Sequence, residues 1–187
     1  MTATNYDASL AFVWRPGFDS PLDGYHVSEN DPGGGTNGGV IEATWEVASR
    51  KGLVRGTLAK ATKAQLSTVL RTLFWGTACD RLPSGLDLAL FNGRMMSAGF
   101  PAIFQQCLGF TDVDVDGVIG RQTVDAARVL HAPTLIDALF GNHYAYLTRL
   151  DGWSTFGDGW ATRLKAAHGA AMQIATQQSA GRPLGLS

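Results

Sequence analysis

The chain has 187 residues, 45% of them hydrophobic and 17% charged, enough to bury a core but short for two large domains. Fifteen Lys and Arg against sixteen Asp and Glu leave a formal net charge of -1, which excludes a protein whose main task is gripping nucleic acid through phosphates. No run of about 18 apolar residues occurs, which excludes an integral membrane helix. The two cysteines, Cys79 and Cys107, lack CxxC spacing and neighbouring paired histidines, so neither a disulfide framework nor a zinc site is expected, and both read as buried thiols. Met1 to Asp7 lack the basic start and apolar run of a signal peptide, so a product made in the cytoplasm is expected.

In chain order, Tyr6 to Trp14 place Leu10, Val13 and Trp14 on one helical face, and Pro16-Gly17 ends the pattern. Phe18 to Val40 are rich in Asp, Gly and Pro and predict a loop with a small hairpin, the place where chemistry is sought first. Ile41 to Lys51 read as a helix. Thr62-Lys63-Ala64-Gln65 forms a capping box that opens a helix through Leu66, Val69, Leu70, Leu73 and Phe74. Further helices are predicted over Leu86 to Gly99, Pro101 to Leu108, Gln122 to Leu130, Pro133 to Leu147 and Trp160 to Gln178, with a turn at Asp112 to Gly120 and a coil at Arg182 to Gly185. The fold class is mainly α (α+β), a helical domain with one glycine-rich β-like excursion near its start.

Three features carry candidate chemistry. Asp19, Asp23, Glu29 and Asp31 crowd the glycine-rich loop, with Thr36 following; paired carboxylates across a cleft are what glycoside hydrolysis uses, although Asp and Gly also simply make turns. Asp112-Val113-Asp114-Val115-Asp116-Gly117 opens like a calcium loop, but Gly120 and Thr123 stand where two further ligands belong, so a tight turn without metal is expected. His143, Tyr144, Tyr146, Trp153, Phe156 and Trp160, interleaved with Arg149 and Arg163, are at helical spacing and are expected in the core, the alternative being stacking on sugars or bases. His26, His131, His143 and His168 are too scattered for a metal cluster, and no nucleotide-binding glycine motif appears, so no cofactor is expected.

The run Gly24-Tyr25-His26-Val27-Ser28-Glu29-Asn30-Asp31-Pro32-Gly33-Gly34-Gly35-Thr36-Asn37-Gly38-Gly39-Val40 resembles the signature of the lysozyme-like N-acetylmuramidases of glycoside hydrolase family 108, including phage and prophage endolysins. Val115 to Thr123 and Phe156 to Arg163 resemble the peptidoglycan-binding region that follows in the same proteins. The resemblance implies a lysozyme-like fold, with residues 1–108 as the muramidase lobe and 109–187 as the peptidoglycan-binding lobe, packed as one unit. It implies cleavage between N-acetylmuramic acid and N-acetylglucosamine in the cell wall after release, by a monomer whose partners are glycan strands and a holin. By position, Asp31 becomes the second carboxylate and Thr36 helps hold water, while Tyr25, Asn37 and Asp23 contact substrate. Aligned without gaps, the usual glutamate falls on Leu22. Phe18-Asp19-Ser20-Pro21-Leu22-Asp23-Gly24 resembles a longer form of the motif with Asp19 in the glutamate place, which makes Asp19 the candidate acid and Asp23 the reserve. Relatives often carry Asp at the place of Asn92 and Asn near Met96, which predicts weaker polar support on the far wall of the cleft. The alternative function is a catalytically impaired muramidase fold that binds peptidoglycan or serves in a virion.

Overall fold

The computed structural model describes residues 5–16, 22, 24–27 and 34–179, with side chains to Gln177. Two compact units emerge, one of Tyr6–Gly76 and one from Thr77 onward that includes Asn5.

In the first unit, α1 (Tyr6–Val13) buries Tyr6, Leu10 and Val13, and Trp14 beyond its end is buried as well, as the apolar spacing predicts. Strands β1 (His26–Val27), β2 (Gly35–Asn37) and β3 (Val40–Ile41) form an antiparallel three-stranded sheet in that order. Asn37 pairs with Val40, leaving Gly38 and Gly39 as a two-residue turn with φ of +54° and +80°. Positive φ at both turn residues matches the twist of a tight hairpin and is open to glycine at little cost. The Trp14 indole donates to the Gly38 carbonyl at 2.9 Å and ties this turn to the end of α1.

Helix α2 (Glu42–Arg50) follows β3 directly, with the Trp45 indole donating to the Gly56 carbonyl at 2.9 Å. At the start of α3 (Lys63–Val69) the predicted capping box is present: the Gln65 amide N–H donates to Thr62 Oγ1 at 3.3 Å, and Gln65 Oε1 accepts from the Thr62 N–H at 3.0 Å. Leu66, Val69 and Leu70 are buried as expected, but the chain then widens into a π-helical segment (Leu70–Trp75). Its i→i+5 bonding moves the buried seam from Leu70 to Trp75, so Leu73 and Phe74, expected on the inner face, are only partly covered. Arg71 reinforces the segment from outside, donating to the Gly76 carbonyl at 3.2 Å with its guanidinium over the Tyr6 ring.

After α4 (Gly76–Cys79), the second unit is built around α5 (Leu86–Met96). Every residue from Leu86 to Gly93 is buried, so this helix is covered on all sides, which explains why its sequence shows no polar face. Helix α6 (Phe100–Cys107) packs on α5 and on α8 (Ala132–Leu147), and α9 (Trp153–Ser179) packs on α8 and α5. Helix α7 (Arg121–Val129) buries Val124 and Ala127. A Cβ at Gly93 would overlap the Phe100 ring, so glycine lets α6 cross α5 at close range.

Two expectations are corrected. Helix α9 starts at Trp153, not Trp160, because Gly157 lets the Trp153 ring lie back across the helix, where a Cβ would stand 2.8 Å from Trp153 Cδ2. That packing outweighs the low helix propensity of Gly157 and Gly159. Cys79 is buried, but Cys107 is only half-buried, with the Asn142 amide 3.6 Å from its sulfur. The predicted coil at Arg182 to Gly185 lies outside the described residues.

Candidate functional site

Of the residues nominated from the sequence, Tyr25, Thr36 and Asn37 are described, whereas Asp19, Asp23, Glu29 and Asp31 lie outside the described residues. Strand pairing brings Tyr25 to the face of Gly35 and Asn37 and turns Thr36, paired with His26, to the other face. His26 pairs with Thr36 and Val27 with Gly35, so Tyr25, two residues before Val27 and on the same face, reaches diagonally over β2. Its ring lies across Gly35, where any Cβ would collide with the phenol. The Tyr25 hydroxyl hydrogen-bonds Glu42 in the first turn of α2, and that bond, followed by desolvation, raises the phenol above its ordinary 10.0. Tyr25 thus stays a neutral donor, held at 38% exposure between a bare strand and a carboxylate.

Thr36 is nearly buried in the central strand, between His26 and Ile41. Asn37 is buried too, and its amide donates to the Leu58 carbonyl at 3.1 Å, which fixes β2 against the short turn Leu58–Lys60. Sequence reasoning missed Glu42. The segment was read only as a helix, and an acidic residue in a first turn is ordinarily explained by the helix dipole.

In the second unit the polar groups are built into the packing. Asn92 has no exposure: its Oδ1 accepts from Arg163 Nε at 3.0 Å, and its amide lies 3.3 Å from Met96 Sδ. Arg163 is itself buried, in keeping with the expected core placement of the run it belongs to. Asp87, 4% exposed, accepts from Asn5 Nδ2 at 2.7 Å and from the N–H groups of Gly85 and Leu88 at 2.8 and 2.7 Å. Burial pushes its pKa up to about 6 against these donors. His143 is fully buried beside Phe100, with Nε2 3.0 Å from Ser97 Oγ; burial, then the charge of Arg163, lowers its pKa to about 4, so the ring is neutral. The aromatic run is therefore divided: His143 joins the core as expected, whereas Tyr144 stays 47% exposed and Trp153, Phe156 and Trp160 are half-covered.

The calcium-like turn is closed by a side chain. Gln105 Nε2 donates to Asp116 Oδ1 at 2.6 Å and to the Val118 carbonyl at 3.2 Å, while Gln105 Oε1 accepts from the Gly117 N–H at 2.8 Å. The bond from Gln105 to Asp116, with one from the Val118 N–H, holds the Asp116 carboxyl below its usual range. No group of three or more His, Cys, Asp or Glu side chains placed to hold a metal occurs among the described residues.

Residues 23–97 match the Glycosyl hydrolase 108 family model, and residues 101–165 match that of a Predicted Peptidoglycan domain. The chain carries a glycosyl hydrolase 108 region followed by a peptidoglycan-domain region. Its fold is that of the solved structure of Brucella abortus SagA, at 29% identity and a TM-score of 0.79, over 94% of this chain and 98% of that one. No curated protein matches. The hydrolase match takes in β1 to β3 and α2 to α5, and the peptidoglycan match takes in most of α6, all of α7 and α8 and the start of α9. The two matches make it a peptidoglycan-acting glycosidase. No helix among its described residues is long and apolar enough to cross a membrane.

Proposed function

We propose that the chain is an N-acetylmuramidase that cleaves between N-acetylmuramic acid and N-acetylglucosamine in peptidoglycan, as phage-type endolysins do. Asp19 donates a proton to the leaving glycosidic oxygen, and Asp31, with Thr36, positions the water that attacks the sugar. Tyr25, Asn37 and Asp23 hold the substrate, with Glu42 as a positioning residue that orients the Tyr25 hydroxyl. Residues 1–108 carry the reaction and residues 109–187 carry wall binding. The observation that supports this most is the pairing of β1 with β2, which puts Tyr25 over the strand holding Gly35, Thr36 and Asn37. A phenol fixed over bare glycine backbone has a use in contacting sugar hydroxyls that a bare turn would lack.

A second reading, a muramidase fold that binds peptidoglycan without cutting it, is favoured by Asn92. That side chain is committed inside the fold to Arg163 and Met96, so it supplies no polar wall to a cleft. Mass spectrometry of purified peptidoglycan incubated with the protein separates the two. New N-acetylmuramic acid reducing ends, lost in Asp19→Asn without a change in melting temperature, are expected. Intact glycan that still carries the protein down on sedimentation would leave the binding reading.

A further inference from the structure

The loop between α8 and α9 is short, so the two helices run antiparallel, and each presents residues at i, i+3, i+4 and i+7 to a shared groove of about 390 Å³. The positions face each other in register. Asp137 meets His168 at one end, Nε2 to Oδ1 2.6 Å, and Tyr144 lies opposite Ala161 at the other. Phe140 and Leu164 form the floor, and the exposed Gly141 and Lys165 stand at the rim. The groove extends for about 10 Å along α8, at 1.5 Å per residue.

Gly141, which is exposed, keeps the rim of the groove open. A Cβ there would meet nothing within 4 Å, as at Gly169 of α9, whereas Cβ atoms at Gly85, Gly93 and Gly157 would strike neighbours. Glycine in a helix interior costs stability relative to alanine, and here packing gives no reason for it. Its bare backbone leaves the rim low beside the exposed Tyr144 ring. Tyr144 is held for that use by the edge of Trp153, at a ring-centroid distance of 5.5 Å and 87° between planes.

We propose that this groove is the site at which the peptidoglycan domain holds the glycan itself, by an N-acetylated amino-sugar disaccharide. This rests on the reading of the chain as acting on peptidoglycan. The chemistry of the lining selects such a ligand. A pyranose presents an apolar face that stacks on Tyr144, and the acetamido methyl fits the Phe140 and Leu164 floor past the bare Gly141 rim. Lys165 donates to the acetamido carbonyl. The Asp137–His168 pair, half-exposed, accepts from and donates to ring hydroxyls.

The test is NMR titration of the 15N-labelled full chain with N,N′-diacetylchitobiose and, separately, with a stem tetrapeptide. The disaccharide is expected to shift Gly141, Tyr144 and Lys165 saturably, and the tetrapeptide to leave them in place. Gly141→Leu fills the groove without meeting another side chain at Cβ and is expected to abolish the shifts while keeping or raising the melting temperature. Tyr144→Ala is expected to weaken binding about tenfold, the upper end of what one aromatic contact contributes. Saturable shifts confined to other surfaces, no shifts, or shifts with the peptide alone would overturn the proposal. The reducing-end assay reads the muramidase reading separately: cleavage by a Gly141→Leu protein that sediments with sacculi as the wild type does sinks only the groove. Saturable disaccharide binding in the groove with uncut glycan sinks only the hydrolase.

Discussion

Asp87 and His143 are buried in the same unit, and protons act on them in opposite senses. The folded pKa of Asp87, about 6, lies above the ordinary 3.8, so the native state takes up its proton before the unfolded chain does. Its contribution is fully present below 3.8 and is lost as pH rises through 6. The folded pKa of His143, about 4, lies below the ordinary 6.5, so its contribution is present above 6.5 and is lost as pH falls through 4. Each amounts to something on the order of 3 kcal/mol at full extent, and between about pH 4 and 6 they offset each other. Urea unfolding of Asp87→Asn is therefore expected to show stability falling on acidification through this window, and that of His143→Gln to show it rising; if both variants kept the wild-type profile, the assignment would be wrong. Neither role was legible in the sequence. Asp87 stood inside the apolar run Leu86 to Phe91, where an ionisable residue does signal a buried partner network, but its partner Asn5 is far away along the chain.

The elements with local causes were the readable ones. The capping box at Thr62 and the apolar face of α1 depend on residues a few positions apart, and both stand as expected. The start of α9 and the widening after Leu70 were missed, because each depends on where a tryptophan ring finds room and not on propensity. The sheet falls between these cases: the turn residues Gly38 and Gly39 were plain in the sequence, but the laying of Tyr25 over Gly35 needs the register. Gly35→Ala tests that register. It is expected to displace the Tyr25 ring and lower the rate of glycan cleavage by at least about tenfold, while the substrate affinity of the α8/α9 groove stays unchanged. A variant as active as the wild type would remove Tyr25 and its bond to Glu42 from the site.

For the molecule as a whole, the helical class, the small sheet and the family were legible from two motifs in order along the chain. The identity of the acid was not, since it depends on how the backbone around Asp19 and Asp23 is placed, and spacing in a glycine-rich loop fixes no distance. The turn at Asp112 to Gly117 bears on the stability of the whole chain. Its Asp116 carboxylate is occupied by Gln105 and the Val118 N–H, so a calcium ion would have to displace bonds already made. Calorimetry with chelator, then with calcium, is expected to show the same melting temperature, and a clear rise with calcium would contradict the closed turn.

The π segment has a consequence for the length of the chain. An α-helix returns to the same side after three or four residues, and the step from Leu70 to Trp75 takes five, so the wide turn stores one residue more than regular winding requires. Such a segment is a reserve of slack. Removing Thr72 would let the turn close to ordinary winding with the indole of Trp75 still inward, whereas a one-residue deletion in α3 would rotate every later side chain by about 100°. Blue-shifted tryptophan emission retained in the first variant and lost in the second would show that this stretch tolerates a shortened chain where its neighbour does not.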